Sequence, residues 1–237
     1  METYRSGKWT VGILYEDNHL LFAEKPANLP VQADSSGDMD LLTLLKEYIR
    51  EKYQKPGNVY LGLVHRLDRP VGGCMVFAKT SKSAARLSAQ FSSHTAQKKY
   101  YAVLQGALDK ETAFTDYLLA NEKTGMVNAV SKDTPGAKEA KLVSSPVCVS
   151  ENLTLTSVTL LTGRKHQIRV QHASHGLPLW GDARYGGGKP GQQIALWAYS
   201  LTIEHPTLKT PVTVTSLPPR IGAWQKFPCL YPKARTE

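Results

Sequence analysis

The chain has 237 residues, 41% of them hydrophobic, and 29 Lys and Arg against 20 Asp and Glu, for a formal net charge of +9. That length buries a core in one large or two small domains, and the positive excess favours an anionic partner, most commonly nucleic acid. No stretch approaches the ~20 consecutive apolar residues of a spanning helix, METYRSGKWT lacks the apolar centre of a secretion signal, and the three cysteines form no CxxC pair, which argues against a disulfide framework or a zinc site. A reduced cytoplasmic setting without a membrane partner is expected.

In chain order, VGILYED and LLFAEK read as two strands around a turn at Asp17, Asn18 and His19. From Asp40 to about Lys52, Leu41, Leu42, Leu44, Leu45, Tyr48 and Ile49 repeat with helical period, and Pro56 and Gly57 close the segment. GLVHRLD and CMVFAKT read as strands either side of an Asp-Arg-Pro turn. Ser81 to about Ser92 reads as a helix capped by Thr80 or Ser81, with Ala84, Leu87 and Phe91 inward. KKYYAVLQG is a strand, and residues from about 111 to 145 are β-hairpins turning at EKTGM and DTPGA. LTLTSVTLL alternates as a half-buried strand. TGRKHQIRVQHASHG reads as a helix begun near Thr162 and Gly163 and ended at Gly176; QIALWAYSLTIEHP is a strand and the tail is irregular. Strands arriving singly or as hairpins between isolated helices imply an α+β fold on a mixed, mainly antiparallel sheet flanked by helices and loops.

Several chemistries lack their motifs. No GxGxxG, GxxxxGK[ST] or HExxH is present. His166, His172 and His175 share one expected helix, but Arg164, Lys165 and Arg169 are interleaved with them, and their charge opposes a bound cation, so no metal is expected. Asp68 stands in GLVHRLDRPVGG, between Arg66 and Arg69. Taken alone, such a tetrapeptide is more often an ion-paired surface turn than a catalytic group.

Three stretches in order change that balance: HRLDRPVGG with CMVFAKTSKSA, then KKYYAVLQG, then LLTGRKHQIRVQHASHGLPLWGDARYG. They resemble the motifs of the RluA family of RNA pseudouridine synthases, and the resemblance runs from about Val11 to Pro219. It implies that Asp68 falls on the catalytic aspartate, Tyr100 on the tyrosine that packs against the target base, and Arg169 on the arginine that pairs with the aspartate. Arg66 falls on the arginine that enters the RNA stack as the uridine leaves, and Leu196 on the apolar side of the base pocket. His65, Arg164, Lys165 and His166 are grouped with these as RNA-binding, alongside a general basic surface that includes Lys98 and Lys99. Departures from the family pattern are Gly72, where a serine is frequent, and Trp180.

The implied reaction needs no cofactor, because isomerising uridine breaks the bond from the anomeric carbon to a ring nitrogen and rejoins the base through carbon. A carboxylate serves as nucleophile or base, and a neighbouring guanidinium keeps it ionised. The implied layout is an extension over 1–10, a single catalytic domain over 11–219, a tail over 220–237 and no separate N-terminal RNA-binding domain. A monomer is expected because no long apolar seam stands out, with RNA, ribosomal or transfer, as partner and not DNA. Two rival readings are an RNA-binding protein that keeps the fold without catalysis, and a glycosylase that releases the base. The second generally needs another carboxylate, for which Asp182 is the candidate.

Overall fold

The computed structural model describes residues 2–231. In chain order its elements are β1 (Glu2–Ser6), β2 (Trp9–Glu16), β3 (Leu20–Lys25), α1 (Leu41–Lys52), β4 (Gly62–Leu63), β5 (Gly72–Ala78), α2 (Ser81–Ser92), β6 (Gln97–Gln105), β7 (Thr112–Ala120), β8 (Val127–Val130), β9 (Lys138–Ser150), β10 (Leu153–Leu160), α3 (Gln167–Ser174), β11 (Leu196–Glu204) and β12 (Pro211–Thr215). Two 3₁₀ turns, Gly222–Lys226 and Pro228–Leu230, follow. No described helix is long and apolar enough to cross a membrane. The expected α+β class holds, with few helices and strands that pair antiparallel wherever the register is defined.

The chain divides into two compact units, one of residues up to 98 with 198–216, the other of 99–197 with residues from 217 on. In the first unit the strand order is β1-β2-β3-β5-β11, with β4 against β5 and β12 against β11. Asp17 makes the β2–β3 turn as its sequence suggests, Oδ1 accepting from the His19 and Leu20 amides at 2.7 Å each. Asp40 caps α1 by accepting from the Thr43 amide, and Thr80 caps α2 through the Ser83 amide. Leu20 and Phe22 of β3, Cys74, Val76 and Ala78 of β5, Leu87 of α2 and Leu201 and Ile203 of β11 form one core. Every residue of β5 is buried, so it reads as a continuous apolar run rather than an alternation. Gly73 in that strand has φ +118°, and a Cβ there would lie 2.2 Å from the Ala198 carbonyl oxygen; only glycine fits.

In the second unit the order is β6-β10-β9-β7-β8. Leu118, Val127, Ala140 and Val170 pack together, with Tyr185 against them, and so seat α3 on the hairpins. Cys148 of β9 and Cys229 are joined by a disulfide across 81 residues of sequence, contrary to the expectation from the cysteine count. The pairing is long-range, and no local spacing announces it. Cys74 remains a buried thiol, and burial pushes its pKa up to about 12.

Three further differences are local. Residues 2–6, read as an extension, pair with β2 as β1. The stretch after IEHP, read as irregular, contributes β12, whose five residues PVTVT carry the β-branched pattern of a strand. GLVHRLD is strand only at Gly62–Leu63, and residues 64–68 run as irregular backbone.

Candidate active site

In the first unit, the segment from Val64 to Pro70 gains its shape from side chains. Its exposure alternates, with Arg66 exposed, Leu67 buried and Asp68 half-buried. The His65 Nε2 accepts the Val76 amide of β5 at 3.0 Å, and its ring stacks on Phe91 of α2 with centroids 4.4 Å apart and planes 13° from parallel. Burial lowers the His65 pKa to about 3, and the Lys98 charge acts in the same direction. The ring grouped with the RNA contacts from sequence is therefore engaged inside the protein on one nitrogen and one face.

On the far side of Asp68 sits a residue that sequence reading passed over. Lys25, at the end of β3, is 0% exposed. Its Nζ donates to the carbonyls of Leu29 at 2.7 Å, Arg69 at 2.9 Å and Pro26 at 3.0 Å. Three acceptors use all three protons of an ammonium. Burial draws its pKa down to about 7, while the charge of Asp68 opposes that fall. The Asn28 amide also donates to the Arg69 carbonyl at 2.8 Å, and the Val71 amide to the Asp68 carbonyl at 3.0 Å. Arg69 itself points outward, paired with Asp38 and, at 3.7 Å, with Asp34.

The second unit carries Tyr100, Arg169, Leu196, Arg164, Lys165 and His166. Tyr100 is buried in β6 and Leu196 opens β11, at 8% and 5% exposure. α3 starts at Gln167, later than its sequence suggests. The buried Gln167 explains the delay: its Oε1 accepts from the Thr162 hydroxyl at 2.8 Å and the Arg164 amide at 2.9 Å, and its Nε2 donates to the Lys141 carbonyl at 3.0 Å. The TGRK segment wraps this side chain, and His166 at the helix start takes a left-handed φ of 53°.

Arg169 forms a fork with Asp182, Nε to Oδ2 and Nη2 to Oδ1, each at 2.8 Å, with both side chains buried. Its guanidinium also lies 5.1 Å from the Tyr185 ring centroid. The Tyr185 hydroxyl bonds the His166 Nδ1 at 2.7 Å and accepts the Val127 amide at 3.2 Å. Arg169, Asp182, Tyr185 and His166 thus form a connected array. Gly181 holds Asp182 in place: its φ is +80°, and a Cβ would lie 2.2 Å from the Gln193 carbonyl oxygen. Asp182 and Tyr185 were legible only as part of GDARYG; the pairing with Arg169 spans 13 residues and no spacing rule announces it.

The three histidines do not converge. His166 bonds Tyr185; His172 Nδ1 donates to the Ile168 carbonyl and Nε2 faces the Ser144 hydroxyl at 3.0 Å; His175 faces Asp116 at 3.0 Å. Among the described residues no group of three His, Cys, Asp or Glu is placed to hold a metal.

The family model described as RNA pseudouridylate synthase matches residues 19–174. A Bacillus subtilis protein named as an uncharacterized RNA pseudouridine synthase, YhcT, is 34% identical over 200 residues, covering 82% of this chain and 64% of that protein. Ribosomal large subunit pseudouridine synthase C of Vibrio cholerae is 35% identical over 178 residues, covering 73% and 52%. The chain therefore spans about half to two-thirds of the length of these relatives. Human RNA pseudouridylate synthase domain containing 4 has a similar fold, with a TM-score of 0.74 at 23% identity over 88% of this chain and 89% of that one. Domain containing 1, also human, gives 0.71 at 21% identity over 90% and 86%. With two-thirds of its length matched by the family model and its motifs in order, the chain belongs to the RNA pseudouridylate synthase family.

Proposed function

We propose that the chain isomerises uridine to pseudouridine in RNA, with Asp68 as the catalytic carboxylate. Family membership carries the reading, together with a half-buried aspartate on a segment pinned from both sides. In the reaction the bond from the anomeric carbon to N1 breaks and a bond from that carbon to C5 forms. C5 gives up its proton to solvent and N1 ends with one, so nothing is oxidised and no group is imported. Asp68 acts as nucleophile or base on the nucleoside.

Tyr100 offers a flat face to the uracil, and Leu196 the apolar side of its pocket. Arg66, exposed and planar, fills the gap left by the extruded base, offsetting an unstacking cost of a few kcal/mol. Arg169 is the residue that falls on the family's arginine partner of the catalytic carboxylate. Arg164, Lys165 and His166 add RNA contacts, which are salt-sensitive where charged. Asp182, the second carboxylate that base release would require, has both oxygens engaged by Arg169, which favours isomerisation over glycosidic hydrolysis. One relative points to a substrate: the Vibrio protein is named for the ribosomal large subunit, and large-subunit ribosomal RNA is the first candidate here.

The test is tritium release from RNA labelled at C5 of its uridines, comparing the wild type with Asp68→Asn on ribosomal and transfer RNA from cells lacking the protein. Release by the wild type alone supports the reading. Silence from both proteins while both bind RNA replaces catalysis with binding, and free uracil in the products would replace it with a glycosylase.

A further inference from the structure

The carboxylate assigned to catalysis lies on backbone outside the strands. Such a segment holds a reacting group within about 0.5 Å only if its own side chains are locked. Lys25 locks the C-terminal side through the Arg69 carbonyl. On the N-terminal side the lock is His65, held by β5 and α2 together.

We infer that His65 is a positioning residue for Asp68: a neutral imidazole whose unprotonated Nε2 is fixed on the Val76 amide and whose ring is fixed on Phe91. The inference rests on the proposed function. The Val76 N–H can only donate, so Nε2 accepts, and the single proton of the neutral ring resides on Nδ1. A protonated ring would turn a donor toward a donor. Burial and the Lys98 charge keep the ring neutral at physiological pH. With His65 held and Leu67 buried, Arg66 is left exposed between them, and the point from which Asp68 projects is fixed. His65 thus acts on the reaction through Asp68 and does not read RNA itself.

Two variants separate its two contacts. His65→Phe keeps a ring for Phe91 and removes the acceptor; His65→Gln removes the ring and restores an acceptor, its Oε1 reaching toward the Nε2 position. Full-length protein labelled with ¹⁵N reports which ring nitrogen carries the proton, and single-turnover tritium release and RNA affinity are measured in parallel. The expected results are a bare Nε2 and a rate for His65→Phe lowered by about ten- to a hundredfold, since small displacements of a reacting group cost that much. RNA affinity stays within about twofold, and His65→Gln recovers most of the rate.

A protonated Nε2 at neutral pH overturns the inference, as does a wild-type rate in His65→Phe. A variant that binds RNA poorly yet turns over normally once saturated overturns it too, and returns His65 to the RNA contacts. Should His65→Phe not fold, a His65→Gln protein that folds and is slow also counts against it. If the wild type releases no tritium at all, the functional reading fails, and the nitrogen shifts with the exchange rate of the Val76 amide still decide the lock: slow exchange that quickens in His65→Phe supports it, unchanged exchange there refutes it.

Discussion

The Asp68 segment and the Arg169 array immobilise charge by opposite means. Around Asp68, the buried cation Lys25 is held by three carbonyls and the neighbouring His65 is neutral. Around Arg169, a full guanidinium–carboxylate fork is buried with both charges present. The first arrangement constrains backbone through dipoles; the second fixes side-chain geometry through a directed ion pair. Backbone anchoring tolerates loss of a surface partner, whereas a buried ion pair fails once either member is removed.

The largest effect is expected at the reacting group: Asp68→Asn should reduce tritium release by about a thousandfold or more with the fold intact by circular dichroism. Next comes the buried fork. Asp182→Ala breaks the buried fork to Arg169, a loss of about 3–5 kcal/mol read by denaturant unfolding, and activity falls with it. An Asp182 variant as stable as the wild type would erase the contrast between the two regions.

Lys25→Met comes third, and its effect depends on pH. The folded pKa of about 7 lies below the ordinary ~10.4 of an unfolded lysine. The unfolded chain therefore binds more protons between those values, and wild-type stability rises with pH across that window. Relative to Lys25→Met, the wild type should gain stability from pH 7 to 10, and parallel curves would refute the lowered pKa of Lys25. His172 has the same sign at lower pH. Its folded pKa, lowered by burial to about 4, lies below the unfolded value, so stability falls from pH 6.5 toward 4 by up to about 1.4 kcal/mol per pH unit. The smallest effect belongs to Arg69→Ala. Its exposed ion pairs contribute little, while its carbonyl, the part that Lys25 holds, is unchanged; activity should stay within about twofold.

Much of this was legible in the sequence because it was periodic. α1 and α2 follow their apolar spacing and caps within a residue or two, and the hairpins follow their glycine turns. Where side-chain contacts replace periodicity, the reading failed. HRLD was taken for strand because its apolar lead-in continues one, yet His65 and Lys25 bond outside any ladder. The start of α3 was placed too early because the buried Gln167, which ties the preceding loop through its side chain, has no signature in spacing. Asp182 looked like a spare acid; its partner lies in another element, and the same holds for the partners of Lys25 and Cys148.

The anchoring of Lys25 also has a consequence for long-range steering. Three peptide oxygens that would otherwise present the negative ends of their dipoles to solvent converge on one buried ammonium. Around Asp68, the protein thereby removes part of its own repulsion toward a polyanion. The field that a phosphate chain would meet near Asp68 is set by these inward-turned carbonyls as well as by the basic surface.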